Sequence, residues 1–178
     1  MMEPTYTPNT GIPFNFGPSA VHDEVLFTAE RPGNPIITTD DSRVSQELVN
    51  EWIAFMQARG IKHVLVLLDD NEFFPYENPG LLNIYRENGL QCYHIPLGGE
   101  GAYENVMKIL KQVEANGEKV VTHCKAGSGR AGRVAAAWIA SRYEMTPEAA
   151  TREALDAALA NGVRRLGNVE KLSKFMMV

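Results

Sequence analysis

From residue 45 onward the apolar positions follow two alternating rhythms. Leu48, Val49, Trp52, Ile53 and Met56 recur at intervals of three and four, which places them on one helical face, with Ser45 as N-cap and Gly60 as stop. Residues 61–68 are then an almost unbroken aliphatic run, the pattern of a strand covered on both faces. The alternation repeats. Asn78 and Pro79 can cap and open a helix that Gly89 closes, and residues 90–95 supply another strand. Residues 103–115 put Val106, Ile109, Leu110 and Val113 on one face before Gly117 ends them, and residues 119–123 form a further strand. Residues 131–143 are alanine-rich, with Val134, Trp138 and Ile139 as the larger apolar positions. Thr146, Pro147 and Glu148 start one more helix, which runs to about Leu159, and Asn168 caps a short final one.

Residues 1–40 lack this rhythm. They are rich in Pro, Gly, Asn and Thr, and read as an irregular segment with one or two short strands, ending near Arg31-Pro32-Gly33 and packed on the rest. Strands alternating with helices of about ten to fifteen residues predict an α/β fold: a mostly parallel central sheet flanked by helices on both faces. A chain of 178 residues suits a single domain over 1–178 with one core. Composition changes little here. With 44% hydrophobic and 22% charged residues, and no apolar run long enough to span a bilayer, no membrane partner is expected. The opening residues lack the basic start and apolar segment of a secretory signal. Seventeen Lys and Arg against 22 Asp and Glu give a formal charge of −5, so nucleic acid would bind against the mean field and is not expected as a partner. Two cysteines, Cys92 and Cys124, make no disulfide framework, and a cytoplasmic monomer in a reducing compartment is the expectation.

One stretch carries chemistry. His123-Cys124-Lys125-Ala126-Gly127-Ser128-Gly129-Arg130 places a thiol at the carboxyl end of a predicted strand and a guanidinium at the mouth of a helix, with a Gly-rich turn between them. Ligands of such sheets bind at the carboxyl ends of strands. Gly127 and Gly129 let successive amides converge on one anion, the helix terminus adds its dipole, and Arg130 closes the ring with a bidentate fork. The thiolate of Cys124 is then placed to displace an alkoxide or phenoxide from phosphorus, leaving a phosphocysteine that water hydrolyses. No cofactor or metal is needed.

At these residues the chain resembles the protein tyrosine phosphatase superfamily, whose signature is HCxxGxxR, and its compact dual-specificity branch in particular. The resemblance extends from about Arg31-Pro32 through Gly60-Ile61 and Tyr93-His94-Ile95-Pro96 to the C-terminal helices. It implies Cys124 as nucleophile and Arg130 as phosphoryl ligand. The amides of Lys125, Ala126, Gly127, Ser128, Gly129 and Arg130 would form the cradle, and His123 would orient the loop without acting as a base. The expected activity is cysteine-dependent hydrolysis of phosphate monoesters on a phosphorylated protein. The alternatives are a small phosphorylated molecule or inositol phosphate as substrate, or a phosphate-binding module with little turnover.

The sequence departs from that pattern twice. Ala131 stands where the family has a Ser or Thr hydroxyl, with Ser128 as a possible substitute. Where the family places a general-acid aspartate, this chain reads Ile95-Pro96-Leu97-Gly98-Gly99-Glu100-Gly101, so the position falls on glycine. The replacement acid is sought in Glu100, or in Asp69 and Asp70 at the end of the 61–68 strand, with Glu72 as a third choice there. A missing acid would favour aryl over alkyl phosphates. Arg133, three residues after Arg130, either widens the positive rim or pairs with Glu100, Asp69 or another acid. Tyr76 is the aromatic expected to touch substrate. Cys92 is either a plain buried cysteine or, if its strand adjoins that of Cys124, a disulfide partner.

Overall fold

The period-2 alternation of two strands divides the molecule into layers. In a computed structural model, which describes residues 11–177, these strands are β3 (Ile61–Val66) and β5 (Lys119–His123). Leu65, Leu67 and Val120 enter one apolar cluster, while Val64, Val66, Leu68 and Val121 enter another on the opposite face. The second cluster is completed by Val49, Trp52, Ile53 and Met56 of α1 (Gln46–Ala58) and by Leu81, Ile84 and Tyr85 of α2 (Leu81–Glu87). The first takes Val106, Leu110 and Val113 from α3 (Ala102–Ala115) and Val134, Trp138 and Ile139 from α4 (Arg130–Arg142). It also takes Ala150 and Ala154 from α5 (Pro147–Ala160) and Leu172 from α6 (Val169–Met177). Helices therefore cover both faces.

The sheet is completed by β1 (Gly17–Pro18), β2 (Leu26–Ala29) and β4 (Gln91–His94), in the order β1-β2-β5-β3-β4. All neighbours are parallel except β1 against β2. The predicted α/β architecture is thus observed, with one antiparallel edge. Residues 1–10 of the expected irregular segment lie outside the described residues.

Local chemistry accounts for most boundaries. Ser45 caps α1 by accepting from the Leu48 amide at 3.3 Å, and Thr146 caps α5 by accepting from the Ala149 amide at 3.2 Å. The start expected at Asn78-Pro79 is two residues late, because Gly80 donates to the Glu77 carbonyl at 2.8 Å and turns the chain at φ +94° before Leu81.

Sheet order also decides the fate of Cys92. It pairs with Val64 on β3, and Val64 in turn pairs with Val121 on β5, so a whole strand separates β4 from β5. Two strand spacings are roughly 9.6 Å, beyond disulfide reach. Cys92 is a free cysteine, and burial pushes its thiol up to about 11. Among the described residues no helix is long and apolar enough to cross a membrane.

Candidate active site

β5 is the central strand, and Cys124 follows its last residue, buried between the ends of β2 and β3. The loop after it is clamped by its carbonyls. Lys125 O accepts from the Arg31 amide at 2.9 Å, Ala126 O from Asn15 Nδ2 at 3.0 Å, and Ser128 O from the Leu166 amide at 3.0 Å. In a trans peptide the carbonyl and the following N–H point opposite ways, so three outward carbonyls turn three amides inward. Among the described residues, none of the backbone N–H groups of residues 125–130 donates to an acceptor. Six successive unpaired amides in a half-buried loop are a cradle of donors that an anion could satisfy. Gly127 is what lets it close: at φ +77° a Cβ would stand 2.5 Å from the Ala29 carbonyl carbon.

Arg130 opens α4 and reaches back across the sheet end. Its Nη1 donates to Glu72 Oε1 at 2.6 Å and to the Leu67 carbonyl at 3.2 Å, and its Nη2 donates to Glu72 Oε2 at 3.0 Å. Three of five guanidinium hydrogens are thereby used, and the Nε–Nη2 edge is left for a second bidentate partner. Glu72 is 7% exposed and is itself placed by a short turn, Asp70–Glu72, in which its Oε1 accepts from the Asp69 amide at 2.8 Å. Burial raises this carboxyl, but the bonds from Arg130, the Asp69 amide and Lys125, at 3.3 Å, prevail and hold it at about 2.

His123 is fully buried, with the Cys124 carbonyl 3.1 Å from Nδ1 and the Tyr85 hydroxyl 2.9 Å from Nε2. A carbonyl only accepts, so Nδ1 carries the proton and Nε2 accepts from Tyr85. Burial, helped by the nearby Arg31 and Arg130 charges, outweighs the Cys124 carbonyl bond and brings the imidazole down to about 4. His123 is neutral, and both its nitrogens are occupied in holding the loop.

Residues 42–143 match the family described as polymorphic toxin system, DSP-PTPase phosphatase. The chain belongs to this family. It is 27% identical over 125 residues to cyclin-dependent kinase inhibitor 3 of Rattus norvegicus, covering 67% of this chain and 57% of that one. Against the same-named protein of Sus scrofa the identity is 33% over 86 residues, 46% of this chain and 41% of that one. The chain thus spans less than two thirds of the curated relatives it matches. A structure of kinase associated phosphatase, its catalytic-site cysteine replaced by serine, is 22% identical and has a TM-score of 0.64 over 84% of this chain and 83% of that one. That likeness shows the fold.

Within this DSP-PTPase fold the predicted residues separate. Cys124, Arg130 and the cradle lie together, and Asp69 Oδ2 is 3.8 Å from Arg130 Nη1 with a side chain 61% exposed. Asp70 is exposed on the same turn, and Glu100 is exposed in the turn before α3. Glu72 is bound to Arg130 and Lys125, which removes it from the acid candidates. The Ser128 hydroxyl donates to the Arg164 carbonyl at 3.1 Å, so it is engaged away from the role left open by Ala131. Tyr76 is buried, donating to the Pro32 carbonyl at 2.9 Å, and does not face solvent as a substrate contact would; Phe74 is the exposed aromatic of that segment. Arg133 forms no ion pair with Glu100, Asp69 or any other acid among the described residues.

Three residues in this arrangement were not among the predicted site residues. Asn15 binds Ala126 and also accepts from the Arg164 amide at 2.8 Å. Arg165 donates to the carbonyls of Asn15, Thr28 and Arg164, and burial lowers its guanidinium to about 10 against the opposing pull of Cys124. Arg31 is buried near Cys124, lowered chiefly by burial. They come from segments up to 150 residues apart, so only the fold joins them.

The shifts of His123 and Glu72 set an acid limit. Both groups bind a proton more readily in the unfolded chain, so both destabilise the fold in acid. The His123 contribution is present above about pH 6.5 and lost as pH falls to about 4; that of Glu72 is lost from about 4.5 down to about 2. Denaturant unfolding at pH 7.5 and pH 4 should differ by about 3 kcal/mol from His123 alone. Equal stability at the two pH values would contradict the neutral, buried imidazole.

Proposed function

We propose that this chain hydrolyses phosphate monoesters through Cys124, with phosphotyrosine in proteins as its preferred substrate class. The observation that carries this reading is the cradle: six unpaired amides and the open Nε–Nη2 edge of Arg130 arranged beside one cysteine. Phosphoryl oxygens occupy those donors, and the Cys124 thiolate attacks phosphorus in line. The P–S bond forms as the ester P–O bond breaks, and the electron pair leaves on the ester oxygen. Water then attacks phosphorus and gives its proton to the carboxylate that protonated the leaving oxygen, while the P–S bond breaks with its electron pair left on sulfur, releasing inorganic phosphate and restoring the thiolate.

The leaving oxygen needs a proton in proportion to its basicity, so the thin supply of acids selects substrates. Gly98 and Gly99 offer none, and Glu72 is held by Arg130. Asp69 is the remaining carboxylate beside Arg130, and we assign it as proton donor. Phenolic leaving groups depart with little help and alkyl ones do not, which is why tyrosine is favoured over serine and threonine. One observation favours slow turnover: Ala131 has no hydroxyl and that of Ser128 is bonded to Arg164, so the second step lacks assistance.

Two experiments test these assignments. On para-nitrophenyl phosphate, wild-type protein should give a burst of nitrophenol followed by slower turnover, and Cys124→Ser or Arg130→Ala should lose at least about 10³-fold in rate. Equal rates from all three proteins would refute the cysteine mechanism. Asp69→Asn should lose about 10²-fold on an alkyl phosphate and much less on an aryl one. The same loss on both, or a larger effect from Asp70→Asn or Glu100→Gln, would remove Asp69 from the role.

A further inference from the structure

On the carbonyl side of the loop lies a cation with no acid to neutralise it. Arg165 stands between α5 and α6, next to the Leu166 amide that binds Ser128 O. Its Nη1 donates to Arg164 O at 2.8 Å, and its Nη2 donates to Asn15 O at 2.8 Å and to Thr28 O at 3.2 Å. Among the described residues it forms no ion pair. Carbonyls orient the guanidinium and leave its unit charge in place.

Two of these bonds set where the charge stands. Thr28 and Ala29 are consecutive on β2, and the loop packs so closely on Ala29 that a Cβ on Gly127 would lie 2.6 Å from its carbonyl oxygen. Arg165 therefore holds the carbonyl next to the one the loop leans on. Cys124 belongs to the apolar cluster that α5 and α6 also enter, so the guanidinium reaches β2 from the face on which Cys124 packs. The bond to Asn15 steadies the loop itself. Phe14 and Asn15 hold left-handed backbone, at φ +58° and +51°, which such residues keep only where contacts fix it. Arg165 binds the Asn15 carbonyl, and the Asn15 side chain donates to Ala126 O and Arg164 O, each at 3.0 Å.

The charges around Cys124 differ in how far they are neutralised. Arg31, Arg130, Arg133 and Arg165 each interact electrostatically with it. Arg130 is gripped by both oxygens of Glu72, with Asp69 beside it, and Lys125 is paired with the same Glu72. Arg31 has Glu72 and Tyr76 as neighbours, and His123 is neutral. Arg133 forms no ion pair, but it opens toward two cavities and the Arg130 charge repels it. Arg165 is the one of the four that is both unneutralised and fixed by three carbonyls among the described residues.

We infer that Arg165 is a positioning residue that also acts on the nucleophile: held by three carbonyls behind the loop, its uncompensated charge keeps Cys124 in the thiolate form while the cradle is empty. For its purpose this rests on the phosphatase reading, and it deepens that reading, since Ala131 offers the sulfur no hydroxyl.

Iodoacetamide alkylates the thiolate and not the thiol, so its rate at Cys124, followed by mass spectrometry across pH, reports ionisation without any substrate. Arg165→Gln keeps an amide donor for the carbonyls and removes the charge, whereas Arg165→Lys keeps the charge and loses the fork. The alkylation profile of Arg165→Gln should move up by about one pH unit, with about tenfold slower alkylation on its acid side, and that of Arg165→Lys by much less. Lys111→Met removes a positive charge beside Trp138 and Ser141, at the far end of α4, and should leave the profile in place. An unmoved profile in folded Arg165→Gln, or equal shifts in the Gln and Lys variants, would reduce Arg165 to a structural clamp and overturn the inference. A second measurement needs no change at Arg165. In the wild-type protein the Arg165 side-chain ¹⁵N resonances should titrate with the midpoint of Cys124 alkylation, and Cys124→Ser should abolish that titration; resonances that do not follow Cys124 would also overturn it. Neither measurement uses a phosphate ester, so a protein that hydrolyses nothing yet shows both effects would fail the phosphatase reading and keep this one.

Discussion

The Glu72 carboxylate holds Arg130 by both oxygens, and the rest of the site depends on that grip. A free guanidinium at the start of a helix samples many rotamers; this one is fixed by Glu72 at its end and by the Leu67 carbonyl at one side. Only one edge remains, and it is the edge a phosphate can share. The pair brings little net stability for its burial, because both ions are desolvated to make it. Its value is position. The carboxylate owes its place to the turn after β3, which ends beside β5 in the sheet.

The same logic runs through the loop. Its carbonyls are taken up by Arg31, Asn15 and Leu166, from chain segments before β3 and after α5, and its amides are left pointing inward as a result. His123 contributes as a neutral strut between Tyr85 and the Cys124 carbonyl. Nothing in this ring of contacts performs chemistry. Each one costs the loop conformational freedom before any phosphate arrives, which is where the binding energy would otherwise be spent.

Much of the fold was legible because its signals are local. The spacing of Leu48, Val49, Trp52, Ile53 and Met56, the alternation through β3 and the caps at Ser45 and Thr146 each predict an element that is observed. The loop was legible for the same reason, its cysteine, glycines and arginine all falling between Cys124 and Arg130. What was not legible depends on who neighbours whom. Glu72 read as a spare acid until the end of β3 brought it to Arg130. Tyr76 read as a substrate contact, but its hydroxyl donates to the Pro32 carbonyl, and Cys92 depended on a strand order that hydrophobic pattern does not encode. Asn15 and Arg165 are ordinary residues in sequence, made specific by contacts that span most of the chain.

The most direct test of this account is Glu72→Gln, which keeps the side-chain shape and removes the charge that anchors Arg130. In this variant kcat/KM should fall about 10²-fold and by the same factor on aryl and alkyl phosphates, because a misplaced Arg130 weakens the transition state whatever the leaving group. Wild-type kcat/KM in the variant would contradict the claim that Glu72 organises the site, and a loss confined to alkyl phosphates would make Glu72 the proton donor instead.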